Sequence, residues 1–262
     1  MAEIKLAFDA ADDYERFMGR WSRAIGEKFL AWLAPPPGAQ WLDAGCGTGA
    51  FSDLIRQRGA PKSLTGIDPS AAQVEFARKL LPGATFDVGD AMALPYGDAS
   101  FDVVASALVI HFIPDRAKAF AEMKRVLRPG GLVGGYTWKR TATTDHAAYA
   151  PMLHGAEHIG GTALRSPIVP EGSREGMQAS LTAAGFTDVT ATEIEVTQSF
   201  RDFDEYWEIQ TLPFSPSGKT VAQLDDAQRA RLREHMRATL PTARDGSISY
   251  AAVAIAGKGR KG

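Results

Sequence analysis

The chain has a single cysteine, Cys46, in 262 residues. That excludes an intramolecular disulfide and a cysteine metal cluster. Charge of one sign is also lacking: 29 Lys and Arg face 31 Asp and Glu, for a net charge of −2. Nucleic-acid binders ordinarily carry a basic surplus, so no nucleic-acid partner is expected. The local exception, Lys258, Arg260 and Lys261, is short and glycine-spaced. It reads as a solvated terminus. Long apolar runs are missing too. The longest, Val103 to Ile113, is broken by Ser106 and His111. It is too short to span a bilayer and suits a buried strand. Charges throughout the N-terminal segment leave no signal-peptide core. A cytoplasmic location is the resulting expectation, and oligomeric state is left open.

What is there is an ordinary globular composition, 45% hydrophobic and 23% charged. One domain with insertions fits the length. Residues 14–33 carry Phe17, Trp21, Ile25, Phe29 and Trp32 at helical spacing, and Pro35-Pro36-Pro37-Gly38 stops that helix. Strand and helix patterns then alternate. Strands are expected at 41–43, 63–68, 84–88, 101–108 and 132–138. Helices are expected at 50–58, 70–81 (with Ser70 as N-cap) and 115–127. Such alternation implies a parallel sheet covered by helices on both faces. The second half differs. Residues 141–170 read as a helical insertion or mobile loop. Helices are expected at 173–184, 203–209 and 224–240, the last two around a Pro/Ser-rich loop. Strands are expected at 189–200 and 247–256. The division expected is an N-terminal helical segment (1–38), a core (39–140) and cap insertions at 141–170 and 203–241.

The most informative stretch is Trp41-Leu42-Asp43-Ala44-Gly45-Cys46-Gly47-Thr48-Gly49-Ala50-Phe51. It reads as a strand ending in an acid, a glycine turn and a helix start. Glycines let a ligand approach the backbone closely, and amides at the helix start are expected to face it. Cys46 is a small filler within the turn. Alone, this pattern also fits the dinucleotide fingerprint through Gly45, Gly47 and Ala50. Asp68 ends the second strand about 20 residues on, where a carboxylate can accept both ribose hydroxyls of an adenosine cofactor. Asp90, in Gly89-Asp90-Ala91, can accept from an adenine amino group, or can simply shape a turn.

Together these segments resemble the class I S-adenosylmethionine-dependent methyltransferases. The resemblance runs through Leu42–Gly49, Gly66-Ile67-Asp68-Pro69-Ser70, Gly89–Pro95, Phe101-Asp102-Val103-Val104 and Arg125–Gly131, so it covers residues 40–138. Within the class the chain looks most like the small-molecule branch that includes ubiquinone/menaquinone-biosynthesis methyltransferases. The resemblance implies a Rossmann-like, doubly wound α/β sheet of seven strands in the order 3-2-1-4-5-7-6, with the last strand antiparallel, plus a helical cap. It implies S-adenosyl-L-methionine as cofactor, S-adenosyl-L-homocysteine as product and a small-molecule acceptor. Gly45, Cys46 and Gly47 would back the amino-acid part of the cofactor, with Asp43 near its ammonium. Asp68 and Pro69 would hold the ribose, and Asp90 and Ala91 the adenine. Ser106 and Ala107 would offer carbonyls to the ammonium. Arg20 would pair with the carboxylate, or be a surface charge.

Methyl transfer from a sulfonium needs mainly positioning, which supplies ~7–11 kcal/mol. A hydroxyl acceptor would gain from a base, and His111, after the fourth strand, is the candidate; packing is its other role. The segment Ser106–His111 lacks the Asn-Pro-Pro-Tyr pattern of exocyclic-amine methyltransferases. His154-Gly155-Ala156-Glu157-His158 has metalloprotease spacing. Its glycines argue against a rigid helix and no third ligand is evident, so no metal site is expected. Arg229, Arg231, Arg233 and Arg237 read as a solvated helix rather than an anion clamp. Two other functions share the glycine turn and Asp68: an NAD(P)-dependent oxidoreductase and a non-catalytic S-adenosylmethionine-binding module.

Overall fold

The computed structural model describes residues 19–142, 148–165, 168–213 and 215–262. The start of the expected first helix, with Phe17, lies outside the described residues, as does the side chain of Arg20.

The described strands are β1 (Gln40–Ala44), β2 (Ser63–Asp68), β3 (Thr85–Val88), β4 (Phe101–Ala107), β5 (Leu127–Trp138), β6 (Phe186–Phe200) and β7 (Ile248–Lys261). They form one sheet in the order β3-β2-β1-β4-β5-β7-β6. β1 to β5 pair in parallel, and β7 runs antiparallel to both β5 and β6. Order and direction are those expected. The helices are α1 (Arg20–Leu33), α2 (Ala50–Arg58), α3 (Ala71–Leu80), α4 (Arg116–Val126), α5 (Ala150–His158), α6 (Arg174–Ala183), α7 (Phe203–Gln210), α8 (Pro216–Ala222) and α9 (Asp226–Thr239). Side-chain caps fix several starts, because a cap oxygen takes an otherwise unpaired first-turn amide. Ser70 accepts from Gln73 N, Asp115 from Lys118 N, and Asp225 closes a capping box with Gln228.

Alternation along the central strands splits the core by face. On one face, Trp41, Val103, Tyr136 and Trp138 meet Trp21, Ile25, Phe29 and Leu33 of α1. Phe29 lies 4.8 Å from Tyr136 and Trp21 lies 5.6 Å from Trp138, ring to ring. On the other, Leu42, Val104 and Val133 meet Phe120 and Met123 of α4 and Met177 and Leu181 of α6.

Four local expectations are corrected. β5 starts at Leu127, not Leu132: Leu127 already pairs with Phe101, and the register jumps before Val103 pairs with Leu132. Pro129, with no N–H to donate, sits in that irregularity. The basic residues near 258–261 are not a solvated tail but the end of β7. Lys258 Nζ donates to Trp32 O, Arg260 to Gly130 O, and Lys261 to Arg125 O and Leu127 O. The Pro/Ser-rich loop contains α8, capped by Ser215. Residues 154–158 are helical despite their glycines, within α5. Gly155 is there because α9 packs against it: a Cβ would collide with Met236 and Leu232. Tertiary burial thus overrides the local glycine penalty. His158 stacks on His235 at 4.1 Å between ring centroids, and no metal-holding group of three ligands occurs among the described residues.

Candidate functional site

Parallel sheets bind ligands beyond the C-terminal ends of their strands, beside a switch in strand order. Here that place is the junction of β1 and β4. β1 ends at Ala44, and the chain turns through Gly45, Gly47 and Gly49 at φ +83°, +53° and +88°. All three lie in the left-handed region that side chains disfavour. The turn is locked onto β2. Gly45 N and Cys46 N both donate to Ile67 O, at 2.7 and 3.0 Å, and Gly47 N donates to Asp68 Oδ2 at 3.0 Å. These amides therefore hold the turn to β2 rather than standing free for a ligand, contrary to the sequence expectation. What the glycines provide is close approach.

Asp43 is completely buried. Its Oδ2 accepts from Ser52 Oγ of α2 at 2.7 Å, and its Oδ1 has no partner among the described residues. Burial, opposed by the Ser52 hydrogen bond, raises its pKa to about 7, with Asp68's charge adding to the rise. Ser106, at the end of β4, also has a buried hydroxyl with no partner among the described residues. An unpaired buried oxygen is costly, and that of Asp43 beside the glycine turn fits a polar or cationic ligand group, whereas the strand register turns the Ser106 side chain to the opposite face of the sheet.

Asp68 accepts from Gly47 N through Oδ2 and from Ser70 N through Oδ1, at 3.0 and 2.9 Å. Burial raises its pKa, partly offset by those two amides. Pro69 is exposed beside it. Asp90 is exposed and accepts from Met92 N at 2.8 Å, which fixes the loop after β3, while Ala91 is buried. Cys46 fills space against Gly66, and burial pushes its thiol pKa well up. It is a packing residue in an unreactive state. The structure therefore gathers Asp43, Gly45, Cys46, Gly47 and Asp68 around one turn. Ser106 and Ala107 close the adjoining strand end, and Asp90 and Ala91 the end of β3.

After β4 the chain turns sharply at Leu108, φ +57°, into a short 3-10 turn, Ile110–Phe112. His111 in that turn is partly enclosed. Its Nδ1 lies 2.8 Å from Thr137 Oγ1 of β5. Loss of hydration, then the positive charge of Arg140, lower its pKa to about 4.

Sequence reading missed Ser52, Val109, Thr137 and Arg140. Val109 sits so close to Gly45 that a Cβ there would overlap its side chain. Ser52 was out of reach because its role depends on how α2 leans across the end of β1, which no local pattern encodes.

Residues 42–134 match the family model described as a methyltransferase domain. This segment is a methyltransferase domain. It extends over the strands and turns just described, β1 to most of β5. The domain's relatives include the malonyl-[acyl-carrier protein] O-methyltransferase of Serratia marcescens, 40% identical over 42% of this chain and 43% of that one. The protein of the same name from Pectobacterium atrosepticum is 37% identical over 62% of this chain and 60% of its own. The chain spans about half the length of these relatives. The phosphoethanolamine N-methyltransferase 2 of Haemonchus contortus, solved with S-adenosyl-L-methionine, superposes with a TM-score of 0.61 at 17% identity. That superposition covers 99% of this chain and 59% of the other, and shows the shared fold. No described helix is long and apolar enough to cross a membrane.

Proposed function

We propose that this chain transfers a methyl group from S-adenosyl-L-methionine to a small or carrier-bound acceptor. The observation that carries this reading is the methyltransferase-domain turn with the buried Asp43 carboxylate beside it, one oxygen unpaired. Asp43, with Ser106 and Ala107, would face the ammonium of the cofactor. Gly45 and Gly47 would let its amino-acid part lie against the backbone. Asp68 and Pro69 would serve the ribose, Asp90 and Ala91 the adenine, and Arg20 the carboxylate. When bound, the cofactor supplies a methyl group already activated on a sulfonium.

The protein's own task is then orientation and exclusion of water. α5 packs against α8 and α9, joining residues 141–170 to 203–241. These segments would form the cap over the acceptor. Nothing among the observations favours a nicotinamide cofactor. Calorimetry separates the readings: S-adenosylhomocysteine is expected to bind, and NAD and NADP are not. The reverse result overturns the proposal, and binding without turnover on any acceptor would leave a non-catalytic module.

His111 is neutral well below pH 7 and is too weak a base to take a proton from a hydroxyl efficiently. Its role would be to orient the acceptor. Turnover is therefore expected to be flat from about pH 5.5 to 8 in any step that depends on its protonation, falling only near pH 4. A rate that climbs through pH 6–7 in the wild type but not in His111→Gln would restore the general-base role.

A further inference from the structure

The chain leaves β4 through a backbone conformation that a bulky side chain disfavours. Leu108 has φ +57°, in the left-handed region, where such strain persists only if its surroundings hold it. Its N–H donates to Tyr136 O of β5 at 2.9 Å, and its side chain is buried in the core on the α1 face. Ile110 is buried in the core on the other face, against Gly135. The sharp bend held between these two anchors seats Val109 directly on the glycine turn. A Cβ on Gly45 would collide with Cβ and both methyl groups of Val109. Gly45 is therefore needed for its φ of +83° and also for the space that Val109 fills. Val109 is itself only half-buried, as are Ala107 and His111, whereas Ser106, Leu108 and Ile110 between them are buried. Part of its apolar surface thus stays open beside the turn. The same turn begins just after Asp43, whose completely buried carboxylate has an oxygen with no partner among the described residues.

We infer that Val109 is a contact residue for the amino-acid part of the cofactor, an apolar wall that its seat on Gly45 holds in place. This deepens the methyltransferase reading and rests on it. The amino-acid part of S-adenosylmethionine is a short aliphatic chain that joins the sulfonium to an ammonium and a carboxylate. A charge contact from Asp43 fixes the end of that chain but not its rotamers. A β-branched side chain is stiff about χ1, so its two methyl groups form a fixed boundary for the methylenes. Burying those methylenes adds affinity, and restricting them orients the sulfonium, which is the main task in this chemistry. Val109 neither gives nor takes a proton. The strain at Leu108 has a use on this account, since a relaxed backbone there would not carry Val109 onto Gly45.

The test is an isotope-filtered NMR experiment on the full chain saturated with S-adenosylhomocysteine. Cross-peaks are expected between the Val109 methyl protons and the methylene protons of the homocysteine part. Their absence in a saturated complex overturns the contact. Val109→Ala keeps the Cβ that rests on Gly45 and removes the two methyl groups. It should weaken S-adenosylhomocysteine by roughly 10-fold in calorimetry, as apolar burial is lost. Methylthioadenosine, which lacks the amino-acid part, should bind this variant as it binds wild type. Unchanged affinity for S-adenosylhomocysteine overturns the inference, and so does an equal loss for both ligands, which would mean that the variant acts through the turn as a whole. The seat is read separately by urea unfolding. Gly45→Ala should lower the midpoint more in wild type than in Val109→Gly, where only the positive φ opposes alanine. Equal effects in the two backgrounds overturn the seat. Wild type that shows this coupling but binds no S-adenosylhomocysteine sinks the methyltransferase reading and the contact with it, whereas binding without the cross-peaks sinks the contact alone.

Discussion

Asp43→Asn should make the cofactor-free protein progressively more stable than wild type as pH rises. The wild-type carboxyl is fully buried, lacks a partner on Oδ1 among the described residues, and has its pKa raised by burial to about 7 from 3.8. Because the folded-state pKa is raised, Asp43 contributes stability that is fully present below pH 3.8 and lost as pH climbs through about 7. Asparagine does not titrate. The stability difference between variant and wild type is therefore expected to grow by ~2–3 kcal/mol from pH 5 to pH 8. Urea unfolding at the two pH values reads it. The same substitution should weaken S-adenosylhomocysteine binding by ~1–3 kcal/mol, because it removes the carboxylate proposed to face the ligand ammonium. In the wild type, binding near pH 6 should release protons, as the ammonium favours the ionised carboxylate. Calorimetry in buffers of different ionisation heat detects that release. A pH-independent stability difference would show that no buried charge is held at this position.

Asp68→Ala has the second large expected effect: a loss of ~2–4 kcal/mol in S-adenosylhomocysteine affinity, as the charge-assisted hydrogen bonds proposed to hold the ribose disappear. The structure adds a second consequence. Asp68 also accepts from Gly47 N and Ser70 N, so the glycine turn loses one of its three hydrogen bonds to β2. Stability should fall by ~1–3 kcal/mol. Asp68→Asn retains an acceptor for one amide and should lose less of both. Calorimetry on folded variants, with melting curves alongside, separates the two effects. Affinity unchanged in Asp68→Ala would remove this residue from the site.

Where sequence reading succeeded and where it failed follows from range. Apolar strands, glycines and caps act on near neighbours, so β1 to β4 and α2 to α4 were legible almost to the residue. Failures occurred where a distant partner decides the conformation. Residues 257–261 look like a loose basic tail until β5 and β6 pair with both edges of β7 and carbonyls at 32, 125, 127 and 130 receive the charges. Gly155 looks like a helix breaker until α9 lies across it.

The site divides in the same way. The sequence by itself determined the alternating architecture, the strand ends that carry Asp43, Asp68, Asp90 and Ser106, and the glycine turn between the first two. Each is written in contiguous residues whose backbone preferences or hydropathy leave little choice. Only the tertiary structure decided what those groups experience. It committed the turn's amides to Ile67 and Asp68. It buried Asp43 far enough to raise its pKa to about 7 and set Arg140 and Thr137 against His111, whose pKa falls to about 4. A pKa depends on hydration and on charges brought close by folding. The chemistry of the site therefore became legible only once chain segments distant in sequence were packed together.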